Sequence, residues 1–181
     1  MKGAIFTGFS EYVEKEFGLS TWLKTIDSCQ LASNGEYLAT ELYEDSEFAI
    51  LVDALVSRVG GSREEVYRGF GQYFFPFLMS MVIKSVEGIT HLFDFLKAVD
   101  SVIHIEVRKS DALAYTPTLL YDQPQDNVLI IRYLSHRKMC HFAEGLILGA
   151  AQHYNQKVKL SQSKCLCKGD KHCLIRVEIQ Q

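Results

Sequence analysis

The chain has 181 residues, room for one domain at roughly 150 residues per domain. Apolar residues make up 48% and charged residues 23%, with only 3 Pro and 12 Gly, which leaves a core to bury and excludes a disordered, collagen-like or low-complexity chain. Lys and Arg number 19 against 22 Asp and Glu, so the net charge is −3, without the basic surplus of a nucleic-acid binder.

The longest apolar run, Tyr73 to Ile83, is broken by Pro76 and Ser80. A bilayer needs about 20 apolar residues, so no membrane span is expected. Met1 to Phe6 offers one cation and a few apolar residues before Glu11, Glu14 and Glu16 intervene, too short and too acidic for a signal peptide. A cytoplasmic, reducing setting is therefore expected. There, five cysteines point to metal or redox chemistry rather than to disulfides.

In chain order, a short helix is expected over Glu11–Phe17, ending at Gly18. A second starts at a Ser20 cap and runs to Cys29. Phe48–Val59 carries Ile50, Leu51, Ala54, Leu55 and Val59 at helical spacing and stops at Gly60-Gly61. Ser62-x-x-Glu65 reads as a capping box opening a helix to about Phe70. His91–Val102 places Leu92, Phe95, Leu96, Val99 and Val102 on one face. Two strands, Tyr115–Tyr121 and Asn127–Leu134, flank the turn Asp122–Asp126. A helix over Met139–Tyr154 follows. Lys157–Leu166 and Cys173–Ile179 then close a hairpin with Lys168–Lys171 at its tip. Helices first, then a small antiparallel sheet with one more helix, make an α+β fold in one domain, residues 1–181, with a Cys-rich C-terminal hairpin over about 157–181.

Cys165 and Cys167 bracket Leu166, and in a strand residues two apart share a face. The hairpin returns Cys173 beside them, and Cys140 on the preceding helix adds a fourth sulfur, a set suited to tetrahedral zinc. His172 is a substitute for one of these ligands. The plainer reading is a group of small buried residues, the role given to Cys29. Tyr133, Ser135 and Arg137 alternate at a strand end and make an anion clamp, two hydroxyls beside a guanidinium. A solvated strand end is the commoner case. His104 follows an apolar helical face and is a candidate for iron or another metal; a hydrogen-bonded boundary histidine is the plainer reading. His91, His141 and His153 have similar claims on that basis.

Together, His104, Pro117 and the Tyr133-x-Ser135-x-Arg137 motif, 29 residues after that histidine, resemble the H-NOX family of haem nitric oxide/oxygen-binding domains. The opening Met1-Lys2-Gly3 and the length resemble it as well. The resemblance implies haem b between a helical part and a sheet-based part, with His104 as the proximal iron ligand. Tyr133, Ser135 and Arg137 would bind the propionates, and Pro117 would pack against and distort the porphyrin. The oxygen-binding branch carries a distal Tyr nine residues beyond the motif Tyr; here that position is Phe142. A phenyl ring donates no hydrogen bond to bound oxygen, so the resemblance implies a nitric oxide sensor that disfavours oxygen. Ile5, Phe9, Leu78 and Leu146 are further candidates for the apolar distal wall.

Cys140, Cys165, Cys167 and Cys173 resemble a cysteine cluster of some bacterial members, associated with zinc and thiol redox. The implied signal is cleavage of the iron–His104 bond, read by a separate partner, a histidine kinase or a cyclic-di-GMP enzyme (diguanylate cyclase or phosphodiesterase). No nucleic acid, membrane or catalytic role is expected. Two alternatives remain: a zinc–thiolate redox module in which haem is incidental, and a haem peroxidase, which would need a distal acid or base such as His141 or Arg132.

Overall fold

The computed structural model describes residues 1–110 and 114–180. Helix α1 (Gly3–Phe17) buries Phe6, Phe9, Tyr12 and Val13 along one stripe. Gly18, at φ 89°, turns the chain into α2 (Leu19–Asp27). Gly18 stands at that helix's N-terminus, so the expected Ser20 cap is corrected: Ser20 lies inside the first turn. Helix α3 (Asp45–Val59) opens on Asp45 and Glu47, which suit the positive end of the helix dipole, and stops at Gly60.

Helix α4 (Arg63–Val82) begins at the expected capping box, in which Ser62 Oγ accepts from Glu65 N and Glu65 caps Ser62 N in return. It does not end near Phe70. It runs through Pro76, whose ring deprives the Gln72 carbonyl of its helical donor. That carbonyl lies against Gly149 of a later helix, Cys140–His153, so the local loss is covered by a packed helix.

The expected His91–Val102 helix is shorter and more elaborate. α5 (Leu92–Ala98) starts with His91 Nδ1 accepting from Phe93 N at 3.2 Å. A π-turn over Val99–Ile103 follows, and α6 (His104–Ser110) begins on its far side. Such wide turns recur at functional positions.

Strands β1 (Thr118–Gln125), β2 (Val128–Leu134), β3 (Val158–Lys164) and β4 (Cys173–Ile179) form an antiparallel sheet in the order β1-β2-β4-β3. The expected turn at Asp122–Asp126 is mostly strand. β1 is an edge strand, where Pro124 forfeits no central ladder bond, and the register slips between Asp122 and Gln125 to accommodate it. Tyr115–Pro117 precede β1 rather than belonging to it. α7 (Cys140–His153) lies between β2 and β3 in the chain.

Two apolar clusters result. One gathers Phe6, Phe9, Phe48, Leu51, Phe70 and Phe74 from α1, α3 and the first half of α4. The other gathers Phe75, Leu92, Phe95, Leu129, Ile175 and Val177 from the second half of α4, α5 and the sheet. α4 and α7 cross between them through glycine. A Cβ on Gly145 would overlap the Arg68 carbonyl and one on Gly71 the Phe142 carbonyl, so only glycine permits this approach.

Candidate functional site

His104 is the first residue of α6, and its side chain is 12% exposed. Its Nδ1 lies 3.3 Å from Asp100 Oδ1, one helical turn back, within the π-turn. Asp100 Oδ1 also accepts from Leu119 N on β1 at 3.4 Å. Nε2 makes no hydrogen bond among the described residues. Burial draws His104 below the ordinary imidazole value, against the opposing pull of Asp100. An imidazole held at Nδ1 by a carboxylate, with no hydrogen bond at Nε2 among the described residues, is arranged as an iron donor would be.

Tyr133 on β2 is buried, and its hydroxyl is engaged with Ser135. Burial holds that phenol well above its ordinary value, with the Ser135 bond working the other way. Arg137 lies just beyond β2. Its Nε donates to Asp45 Oδ2 at 2.7 Å, its Nη1 reaches Tyr115 O at 3.3 Å, and its guanidinium stacks on the Tyr115 ring at 4.9 Å. Asp45 also pairs with the terminal ammonium of Met1 at 2.9 Å. The motif thus presents two hydroxyls and a guanidinium fixed from behind, a donor set that matches carboxylates. Pro117 is half-buried immediately before β1.

The five residues proposed for a distal wall come together. Phe9 and Phe142 belong to the N-terminal cluster, and Ile5, Leu78 and Leu146 pack against it. The Phe142 ring stands 5.1 Å from Phe70 and 6.4 Å from Phe74. None of the five offers a polar side-chain atom. His104's neighbours Val99 and Ile103 pack instead against the other cluster. Leu146 packs against both clusters. The residues present, an imidazole, a carboxylate-matching donor set and an apolar wall, fit the chemistry of haem.

The cysteines form a second centre. Cys140 Sγ lies 3.6 Å from Cys165 Sγ and 3.7 Å from Cys167 Sγ. The expected strand geometry is corrected: Cys165 follows β3, and Leu166–Lys168 make a tight 3-10 turn that folds Cys167 back beside it. Cys173 opens β4, and its Sγ accepts from Leu166 N at 3.2 Å. Cys29 is half-buried at the edge of the N-terminal cluster, far from these thiols, with its Sγ on Thr25 O.

Sequence reasoning missed the histidine beside this cluster. Ligand atoms of Cys140, His141, Cys165 and Cys167 all fall within 4.8 Å of one another. His141 Nδ1 lies 3.0 Å from Glu144 Oε2, a buried carboxylate that also takes Arg68 Nε and Nη2 at 3.1 and 2.8 Å. Burial alone would raise Glu144, but His141 and Arg68 hold it below the usual carboxylate range. The neighbouring Cys173 and His141 draw the Cys140 thiol down, against its burial. The i,i+3 spacing of His141 and Glu144 was a readable signal; Arg68, 76 residues from Glu144, gave none. A cleft of about 450 Å³ lined by Arg68, His141, Glu144, Gln162 and Cys165 opens onto the cluster. His141 therefore sits with the thiols, and Arg132 is exposed on β2; neither belongs to the N-terminal cluster with Phe142.

A family model described as Haem-NO-binding matches residues 2–162. An H-NOX protein from S. oneidensis, solved in its Fe(II)NO ligation state, is 30% identical and superposes with a TM-score of 0.90 over 100% of both chains. An Fe(II) unliganded H-NOX protein from K. algicida is 27% identical, with a TM-score of 0.92 over 100% of this chain and 97% of that one. Soluble guanylate cyclase 89Db of Drosophila melanogaster is 25% identical over 141 residues, 76% of this chain but 20% of the relative. The chain thus spans about a fifth of that protein's length. No helix among the described residues is long and apolar enough to cross a membrane.

Proposed function

Because the chain belongs to the haem-NO-binding family, we propose that it senses nitric oxide at a ferrous haem b and disfavours oxygen. When bound, haem would supply a ferrous centre able to take a diatomic gas. His104 Nε2 would hold the iron. Tyr133, Ser135 and Arg137 hold the propionates, Pro117 packs against the porphyrin, and Ile5, Phe9, Leu78, Phe142 and Leu146 wall the gas side. The observation that carries this reading is the placement of His104: nearly buried, held at Nδ1 by Asp100, and without a hydrogen bond at Nε2 among the described residues. The absence of a polar atom in the five-residue wall supports the exclusion of oxygen, whose bound form needs a donor.

A ligand shifts a conformational equilibrium only by binding its two states differently. In this reading, release of His104 frees α6 and relaxes its hold on the π-turn and β1. A separate partner, a histidine kinase or a cyclic-di-GMP enzyme, reads that movement in the cytoplasm. Residues 1–181 act as one sensor domain without a reaction of its own.

A zinc ion at Cys140, Cys165, Cys167 and Cys173 completes the proposal, with thiol oxidation as a second input. Sulfurs on a tetrahedral zinc, each about 2.3 Å from the metal, stand about 3.8 Å apart. The separations of 3.6 and 3.7 Å at Cys140 support such a site. Oxidised sulfur no longer ligates, so oxidation would eject the ion.

The test is an anaerobic absorption spectrum of the reduced protein, before and after nitric oxide and then in air. A ferrous spectrum that responds to nitric oxide and forms no stable complex in air is expected. Absence of haem after expression with ample supply overturns the haem reading; a stable oxygen complex overturns the selectivity.

A further inference from the structure

Tyr121, on edge strand β1, carries a hydroxyl that is fully buried and makes no hydrogen bond of normal geometry among the described residues. Leaving such a group unpaired costs about 1–3 kcal/mol, so an orphan hydroxyl at the edge of a working site needs a reason. Its surroundings supply one. The hydroxyl lies near the backbone of Asp100 and in the field of its carboxylate; burial first, and Asp100 second, push the phenol up. Asp100 is also the residue that holds His104 Nδ1. Its Oδ1 is shared between that imidazole and Leu119 N, two residues before Tyr121 on the same strand. One carboxylate within the π-turn therefore holds the imidazole of α6 and the backbone of β1, with an unsatisfied phenol two residues along the same strand.

We infer that Asp100 is the positioning residue of His104 and that Tyr121 is the alternate partner of Asp100, donating its hydroxyl when the imidazole withdraws. While His104 is ligated, Nδ1–H donates to Asp100, which orients the ring and makes Nε2 a stronger donor. When His104 leaves, Asp100 loses its donor. Tyr121 O–H then takes that place without any proton changing owner, so the released state gains the hydrogen bond that the held state lacks. This inference rests on His104 being the haem ligand. It adds which neighbours set the strength of that bond and where the broken contact is replaced. It also gives the movement a direction, from α6 into β1.

The experiment uses the ferrous holoprotein under anaerobic conditions. Resonance Raman spectroscopy reads the iron–histidine stretch, and stopped-flow absorption reads the loss of that bond on adding nitric oxide. Asp100→Asn is expected to shift the stretch to lower frequency, since an amide oxygen accepts less strongly than a carboxylate, and Asp100→Glu to restore part of the shift. Tyr121→Phe is expected to leave the stretch at its wild-type frequency and to slow the loss of the bond several-fold. A wild-type stretch in Asp100→Asn overturns the role of Asp100, and wild-type kinetics in Tyr121→Phe overturn that of Tyr121. Should Asp100→Asn not retain haem, the ¹⁵N spectrum of the apoprotein reads the same contact. His104 should be the Nδ1–H tautomer in the wild type and a mixture in the variant; equal tautomers overturn the contact. A wild-type protein with haem but no iron–histidine stretch would instead overturn the ligand reading beneath this inference.

Discussion

Tyr133 of β2 stands directly opposite Cys173 of β4, and both are buried. Opposed residues of an antiparallel pair share a face of the sheet. A residue of the motif proposed to hold the propionates and a residue of the thiol cluster are therefore immediate neighbours. The next link is short as well, because Cys140, His141 and Phe142 are consecutive at the start of α7. One turn of helix carries a thiol, the imidazole beside it and the ring proposed to face the gas.

Phe142→Tyr tests the gas side. The ring is 9% exposed and packed on Phe70 and Phe74. A hydroxyl placed there is expected to give a measurable ferrous–oxygen absorption spectrum in air, where none is expected of the wild type. Without haem the same hydroxyl is buried and unpaired, costing about 1–3 kcal/mol. The apoprotein variant should therefore melt below the wild-type apoprotein.

The metal site is tested by elemental analysis of the purified protein and of four variants. One zinc per chain is expected, and it should be lost in Cys140→Ser and Cys165→Ser. Cys173→Ser and His141→Ala then decide the fourth ligand, because both Cys173 and His141 adjoin Cys140. Whichever loses zinc supplies the ligand. Peroxide should release the ion as free thiols disappear; zinc retained with all thiols oxidised would end the redox reading.

The Asp45–Arg137 pair joins the start of α3 to the propionate motif. Burial alone would raise the Asp45 carboxyl, but Arg137 and the Met1 ammonium hold it below its usual value. The unfolded chain then binds the proton more readily than the folded one, and stability rises with pH through the interval between the two values. The contribution is complete above the unfolded value, near about 3.9, and is lost as pH falls through the folded one. Melting temperatures of wild type and Asp45→Asn should differ by a constant amount from pH 8 to pH 5 and converge below about pH 4. A gap that persists at low pH would show that the charge is not the cause.

Gly145→Ala forces a Cβ into the Arg68 carbonyl and to 2.8 Å from Gly71 Cα. Backbone cannot yield as a flexible side chain does. Overpacking costs about 1–3 kcal/mol or more, and for a chain of this size each kcal/mol moves the midpoint by roughly 2–4 °C. A fall of about 5–10 °C by calorimetry is expected. Gly18→Ala is the control for strain without a clash, since Gly18 has a positive φ and open space around it.

Periodicity and turn chemistry made much of the fold legible. The capping box at Ser62, the glycine stops at Gly18 and Gly60, and the closing hairpin needed only local information. Several misses share one cause, a partner far along the chain. α1 begins at Gly3 rather than near Glu11, because Gly3 and Gly8 sit where Leu38 and Phe74 come too close for a side chain. α4 outlasts Pro76 because α7 covers the freed carbonyl. At the site, spacing alone offered His104 only as a candidate metal ligand and Tyr133, Ser135 and Arg137 only as a candidate anion clamp; the family resemblance gave them haem roles. Asp100 was readable in principle, one turn before His104. Asp45 and Arg68, 92 and 76 residues from their partners, were not.

The glycine crossing of α4 and α7 has a mechanical consequence. Ordinary helix pairs lock by side-chain ridges set in grooves, which resist rotation and sliding alike. Gly71 and Gly145 meet backbone to backbone, with no ridge between them. A slide of one turn would drive a side chain into the space only glycine can occupy. Gly149, one turn further along α7, is packed as closely on Phe75 and the Gln72 carbonyl. The two helices are therefore gripped at two successive turns, which resists rotation as well as sliding, and the ends of α7 should move with α4 as one body.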